Sequence, residues 1–137
     1  MRKVLYIISV MLIFAACAGD RCRTPFGEGC SIDLSEPEFI NLYNNPGETL
    51  VIFNRGYRGI LVHCINFSEY VAFECACPYC RETAMEPDDS RRASMLICPE
   101  CGSRFEVIFG NPLEGALTNC MLYQYNTHYD GHYLSIY

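Results

Sequence analysis

Cys77-Pro-Tyr-Cys80 and Cys98-Pro-Glu-Cys101 are the two stretches that decide the interpretation of this sequence. Each holds two cysteines three positions apart with a proline after the first, and 17 residues separate the two stretches. A tight turn of this kind can direct two thiolates at one point, so two turns can supply four sulfurs in a tetrahedral arrangement. Zinc takes that geometry, and so does each iron of an iron–sulfur cluster. The double motif therefore predicts a metal site, with two disulfides or free thiols as the alternative.

The first 16 residues have the layout of a signal peptide. Met1-Arg2-Lys3 is basic, residues 4–14 are apolar except for Ser9, and two alanines precede Cys17. The apolar segment is too short for a membrane-spanning helix. Small residues before a cysteine resemble the lipobox of bacterial lipoproteins, so we expect cleavage before Cys17 and attachment of a diacylglycerol to it. An ordinary secretory signal with an incidental cysteine is the alternative.

A lipid on Cys17 predicts a protein of the bacterial cell envelope. Residue 18 is Ala rather than the Asp that retains lipoproteins at the inner membrane of some Gram-negative bacteria, so we expect the outer membrane. Cleavage would remove Arg2 and Lys3, leaving eight basic against 16 acidic residues and a net charge of about −8. Such a surface repels nucleic acid and anionic lipid, so we expect no nucleic-acid partner and membrane attachment through the lipid alone.

The composition divides the chain into a lipoprotein signal peptide (1–16), a lipid-attached tether (17–35) and one domain (36–137). The tether is rich in Gly, Asp, Arg, Pro and Ser and shows no periodicity. In the domain, short apolar runs separated by turn residues predict an all-β fold of short antiparallel strands. The predicted strands are 50–53, 60–65, 70–73, 94–97, 104–109, 121–126 and 133–137.

Five cysteines lie outside the two stretches and the lipid site: Cys22, Cys30, Cys64, Cys75 and Cys120. A bacterial envelope permits disulfides, and Cys22 and Cys30 are close enough in sequence to close a small loop before the domain. Because five is odd, at least one thiol stays free or pairs elsewhere. The sequence alone does not give the connectivity.

Residues 98–106 resemble the second cluster-binding loop of the Rieske family, which reads Cys-Pro-x-His-Gly-Ser-x-Phe-Asp. Residues 110–116 are similar to that family's Gly-x-Pro…Gly-Pro-Ala segment, and residues 122–136 to its closing hairpin. The resemblance covers about residues 45–137. It implies a small Rieske-like domain with two metal-binding loops, a 2Fe-2S cluster and transfer of electrons to or from a redox partner.

The departures from the family concern the ligands. The family holds its cluster with two Cys and two His, whereas Cys101 stands at the second His and no histidine lies in either loop. We prefer Cys77 and Cys80 in the first loop because Pro follows each leading cysteine. Cys75-Ala-Cys77 keeps the family's spacing, which makes Cys75 the alternative ligand. The three histidines are expected to be ordinary surface or half-buried residues: His63, His128 and His132.

Two functions remain open on these residues. Four thiolates could hold a low-potential 2Fe-2S cluster in an electron-transfer domain, or a redox-inert zinc ion. In the second case a zinc- or disulfide-stapled β domain would act as a binding or structural module for another envelope protein. We find no hydrolase, zinc-protease or phosphate-loop motif, so we expect no catalytic residues and no reaction of the chain's own.

Overall fold

A computed structural model describes residues 22–88 and 95–137 of the chain. Short strands dominate this part, and the all-β prediction is confirmed. The elements are β1 (Cys30–Asp33), α1 (Ile40–Asn44), β2 (Thr49–Ile52), β3 (Ile60–Asn66), β4 (Glu69–Glu74), β5 (Glu86–Pro87), β6 (Met95–Ile97), β7 (Arg104–Glu106), β8 (Gln124–Tyr125), β9 (Thr127–Tyr129) and β10 (Tyr133–Ile136). No helix in this part is long and apolar enough to cross a membrane.

A four-stranded antiparallel sheet in the order β2-β3-β4-β8 lies at the centre. Successive side chains of a strand point to opposite faces, so its apolar residues divide between two packing clusters. Ile60 and Val62 of β3 belong to one cluster, and Leu61 with its cross-strand partner Phe73 belongs to the other. All four side chains are fully buried, so both faces of the sheet are covered.

We call the two sides of this sheet the apolar face, which carries Ile60 and Val62, and the cysteine face, which carries Leu61 and Phe73. The apolar face packs against α1 and a second sheet in the order β1-β10-β9. The cysteine face packs against a third sheet in the order β5-β6-β7 and against both cysteine stretches. The metal-binding motif therefore forms part of one layer of the core.

Two predicted strands are shorter than expected. The strand predicted over 104–109 ends at Glu106, because the Glu106 carboxylate accepts the backbone N–H groups of Ile108 (2.8 Å) and Asn111 (2.9 Å) and turns the chain. Of the strand predicted over 121–126, the structure forms only β8 before β9 begins.

The domain begins before residue 36, so the predicted tether 17–35 needs correction from Cys22 onward. β1 pairs in register with β10, with Cys30 opposite Ile136. Upstream, the Phe26 ring stacks on Tyr123 with centroids 4.1 Å apart. A Cβ on Gly27 would lie 2.2 Å from the backbone of Gly56, so the segment passes too close to the 54–59 loop for any larger residue. The predicted signal peptide and Cys17 lie outside the described residues.

The predicted Cys22–Cys30 disulfide is wrong. Cys22 is bonded to Cys120, 98 residues away, with the two Cα atoms 5.3 Å apart, and Cys30 is a free thiol. The segment from residue 22 runs along the sheet instead of folding back on itself. This path carries Cys22 to Cys120 in the loop before β8 and places Cys30 at the start of β1.

Glu74, at the end of β4, is a fully buried carboxyl group. It accepts the backbone N–H groups of Tyr57 (2.8 Å) and Arg58 (2.7 Å) and the hydroxyl of Tyr125 (2.6 Å). The backbone N–H of Gly27 adds a longer contact at 3.3 Å. A buried carboxyl group is costly unless its oxygens are hydrogen-bonded, so these donors make its burial tolerable and join three chain segments.

Candidate metal centre

The two cysteine stretches adopt the same turn. The carbonyl of Cys77 accepts the N–H of Arg81 (2.7 Å), and the carbonyl of Cys98 accepts the N–H of Gly102 (2.9 Å). In both turns the residue after the second cysteine is left-handed, with φ 64° at Arg81 and 72° at Gly102. Arg81 is the only non-glycine residue with positive φ in the described part of the chain. The sequence similarity of the two motifs therefore reflects one conformation used twice.

These turns bring four sulfur atoms together. The Sγ atoms of Cys77, Cys80, Cys98 and Cys101 all lie within 4.8 Å of one another. Across the two turns, Cys77 Sγ is 3.8 Å from Cys101 Sγ, and Cys98 Sγ is 3.9 Å from Cys80 Sγ. The leading cysteine of each turn is buried and the second is half-buried. The four residues thus form a compact thiol cluster that reaches the surface on one side.

Hydrogen bonds outside the cluster lock the two turns to each other and to the fold. The Thr83 hydroxyl donates to the Glu100 carboxylate across the turns. Ser103 is fully buried; its hydroxyl lies 3.2 Å from Cys101 Sγ and accepts the N–H of Leu117 at 3.0 Å. Outer contacts of this kind orient metal ligands and tune a bound metal. The sequence signal for Ser103 is its place in the Gly-Ser pair of the Rieske-like loop, whereas nothing in the sequence pairs Thr83 with Glu100.

The environment of the cluster perturbs its thiols in opposite directions. Burial raises the pKa of Cys77 to about 11, and burial together with the neighbouring thiols raises the pKa of Cys80. Burial also acts to raise the pKa of Cys101, but hydrogen bonds from Ser103 and nearby thiols outweigh it and lower that pKa to about 7. Four adjacent thiols cannot all ionise by themselves, whereas a bound cation offsets the charge of the thiolates.

Cys75, the alternative ligand, is not in the group of four. It is fully buried in the core of the cysteine face, and burial, followed by the nearby Glu74, raises its pKa to about 12. Its backbone N–H donates to Gly59 and its carbonyl accepts from Met85, which fixes it in the sheet. Among the described residues, no histidine belongs to the group either. His63 is buried, unlike the expected surface or half-buried position, and its ring is hydrogen-bonded to the Thr49 hydroxyl. The Nε2 atom of His132 lies 3.2 Å from the Asp33 carboxylate.

Comparisons with known proteins give structural similarity only. No family model matches the chain, and no curated protein matches it. The ferredoxin of carbazole 1,9a-dioxygenase from Nocardioides aromaticivorans IC177 is similar at 17% identity and a TM-score of 0.43, over 67% of this chain and 86% of that chain. A chain of the complex of reduced oxygenase and oxidized ferredoxin in carbazole 1,9a-dioxygenase is similar at 16% identity and a TM-score of 0.45, over 83% and 94% respectively. At these scores we base the metal centre on the cysteine geometry alone.

Proposed function

We propose that this chain is a bacterial envelope lipoprotein whose β domain holds one metal ion on Cys77, Cys80, Cys98 and Cys101. The separations between the sulfurs carry the proposal. Four sulfurs placed tetrahedrally at about 2.3 Å from a zinc ion lie about 3.8 Å from one another. The two distances across the turns, 3.8 and 3.9 Å, match that edge.

Four protein thiolates fill a tetrahedral coordination sphere and leave no position for substrate or activating water. Catalytic zinc sites keep such a position open, whereas structural sites are closed. The ion would add four metal–sulfur bonds to the hydrogen bonds and the buried cluster that already join the two turns. This supports a metal-stapled binding or structural module whose partner is another envelope protein.

Electron transfer is the second candidate. Cys80 and Cys101 are half-buried, so the centre lies close enough to the surface for electrons to reach a redox partner. The 2Fe-2S cluster implied by the Rieske resemblance spreads its thiolates over two irons, which requires larger separations between sulfurs on different irons. All four sulfurs here lie within 4.8 Å, so such a cluster would require the two turns to move apart. A single iron fits without that movement.

Metal and sulfide analysis with a visible spectrum, on protein purified without oxygen, decides among these centres. One zinc per chain without colour is the result expected. One iron without sulfide, or two irons with sulfide and bands bleached by dithionite, would replace the structural function with electron transfer. A chain without metal in any preparation would contradict the metal centre. Cys75→Ala is the matched control, since it removes a buried thiol next to the site and should leave the metal content unchanged.

The lipid anchor is tested separately by mass spectrometry of the membrane-extracted protein. A diacylglycerol on Cys17 and the loss of residues 1–16 are expected. Sedimentation of outer and inner membranes then tests the expected outer-membrane location. An unmodified N-terminal peptide would contradict the lipoprotein proposal and leave the metal proposal unaffected.

A further inference from the structure

The N-terminal chain leaves the domain at a fixed point. The Cys22–Cys120 disulfide ties the first described residue to the loop before β8, and Cys120 is buried. Further along the segment, the Phe26–Tyr123 stack and the close approach at Gly27 hold it against the sheet. Any anchor on the preceding residues therefore pulls on the domain at this disulfide.

The link to the predicted lipid site is short. Only five residue steps separate Cys17 from Cys22, and a fully extended chain of that length reaches at most about 18 Å. A compact domain of this size is about 35 Å across. A tether shorter than the domain cannot let it turn freely above the membrane, so one side has to stay near the bilayer.

Exposed apolar residues lie close in sequence to the two cysteines of the disulfide. Met121, next to Cys120, is 50% exposed. Leu117, three residues before Cys120, is 55% exposed. Phe26, four residues after Cys22, is 58% exposed although its ring stacks on Tyr123. We call Phe26, Leu117 and Met121 the disulfide face. Apolar side chains beside an anchor gain free energy by entering the lipid headgroup region.

We propose that the disulfide face rests on the lipid bilayer and fixes the orientation of the domain there. The proposal rests on the lipid anchor proposed above. The charge of about −8 on the mature chain disfavours an anionic surface, so the lipid that fits is zwitterionic. Because the N–H of Leu117 donates to Ser103, which contacts Cys101, the metal centre lies at the same end of the domain.

The opposite end supplies a matched control. Phe67 lies in the turn between β3 and β4 and is 64% exposed. The length of β4 and its continuation place this turn about 20 Å from the cysteine turns. An apolar side chain of similar exposure is thus available far from the disulfide face.

Tryptophan fluorescence tests the orientation, because the chain has no tryptophan of its own. The lipidated full chain carrying Leu117→Trp or Phe67→Trp is reconstituted into phosphatidylcholine vesicles with and without brominated acyl chains. Burial in the headgroup region should cost Leu117→Trp about half of its emission and leave Phe67→Trp nearly unchanged. Equal quenching of both, or stronger quenching of Phe67→Trp, would overturn the proposal.

Removal of the disulfide provides the second test. In a Cys22→Ser, Cys120→Ser background, the first contact that holds the segment becomes the Phe26–Tyr123 stack, and the tether lengthens from about 18 Å to about 32 Å. Quenching of Leu117→Trp should then fall, while mass spectrometry still shows the lipid. Retention of full quenching would contradict the disulfide as the fixing point. If mass spectrometry finds no lipid on Cys17, the anchor proposal is wrong, and the orientation proposal that rests on it is wrong as well.

Discussion

The two faces of the central sheet are stabilised in different ways. The apolar face is covered by side chains from α1, β1 and β10, such as Leu42, Ile32 and Leu134, in a continuous apolar cluster. The cysteine face is covered by strands of two or three residues and by two turns whose inner side chains are thiols. Both layers bury large apolar side chains, including Phe73 and Phe105 on the cysteine face, but only the cysteine face also contains a thiol cluster that a bound metal ion would hold together.

Loss of one metal ligand should produce the largest difference in stability between the two faces. Cys98→Ala should abolish metal binding and unfold the cysteine face, since a structural tetrathiolate site contributes on the order of 10 kcal/mol to folding. Metal analysis and hydrogen exchange of β6 and β7 measure the effect. Protection of β1 and β10 should survive. Simultaneous loss of protection in both layers would show that the two faces fold as one unit, contrary to the comparison.

The next largest effect is expected when a buried leucine is shortened to alanine on each face in turn. Leu61 and Leu134 are both fully buried, one in each cluster. Replacement of either by Ala should lower the free energy of unfolding by about 3 kcal/mol. Only Leu61→Ala should lower the affinity for the metal ion, because Leu61 packs in the cluster that contains Cys77 and Cys98. Competition with a chromogenic chelator measures this; equal metal affinity in the two variants would count against the division.

Glu74 should matter to both faces, because its carboxylate joins the 54–59 loop, the N-terminal segment and β8. Glu74→Gln places an amide donor among N–H groups and should lower the free energy of unfolding by about 2 kcal/mol. Chemical denaturation measures the loss. Tyr125→Phe, which removes only one of the donors, is the control and should cost about 1 kcal/mol. A cost for Tyr125→Phe equal to that of Glu74→Gln would assign the effect to the tyrosine instead.

The smallest change in the free energy of unfolding is expected from substitutions that compare the two cysteine turns with each other. Arg81 occupies the left-handed position that Gly102 occupies in the second turn. A non-glycine residue there costs about 1 kcal/mol, so Arg81→Gly should raise the free energy of unfolding by that amount and Gly102→Ala should lower it. Thermal unfolding of the metal-bound protein measures both shifts. Stabilisation by Gly102→Ala would contradict the left-handed conformation.

The local part of this protein could be predicted from the sequence. The strands β2, β3 and β4 follow from short apolar runs bounded by turn residues, and the proline after each leading cysteine indicated two similar turns. These features depend on residues within a few positions of one another. The sequence did not predict the end of β7 at Glu106. There the Glu106 carboxylate accepts the backbone N–H of Ile108, which could otherwise pair with a neighbouring strand, and residue propensities do not show such a bond.

The all-β class and the two cysteine turns follow from the sequence, because alternation and spacing act along the chain. The folded structure sets which cysteines meet. It joined Cys22 to Cys120 across 98 residues, buried Cys75 in the core away from the cluster, and set the sulfur separations that favour one ion. A disulfide or a metal site depends on distances in space, and sequence separation does not fix those distances.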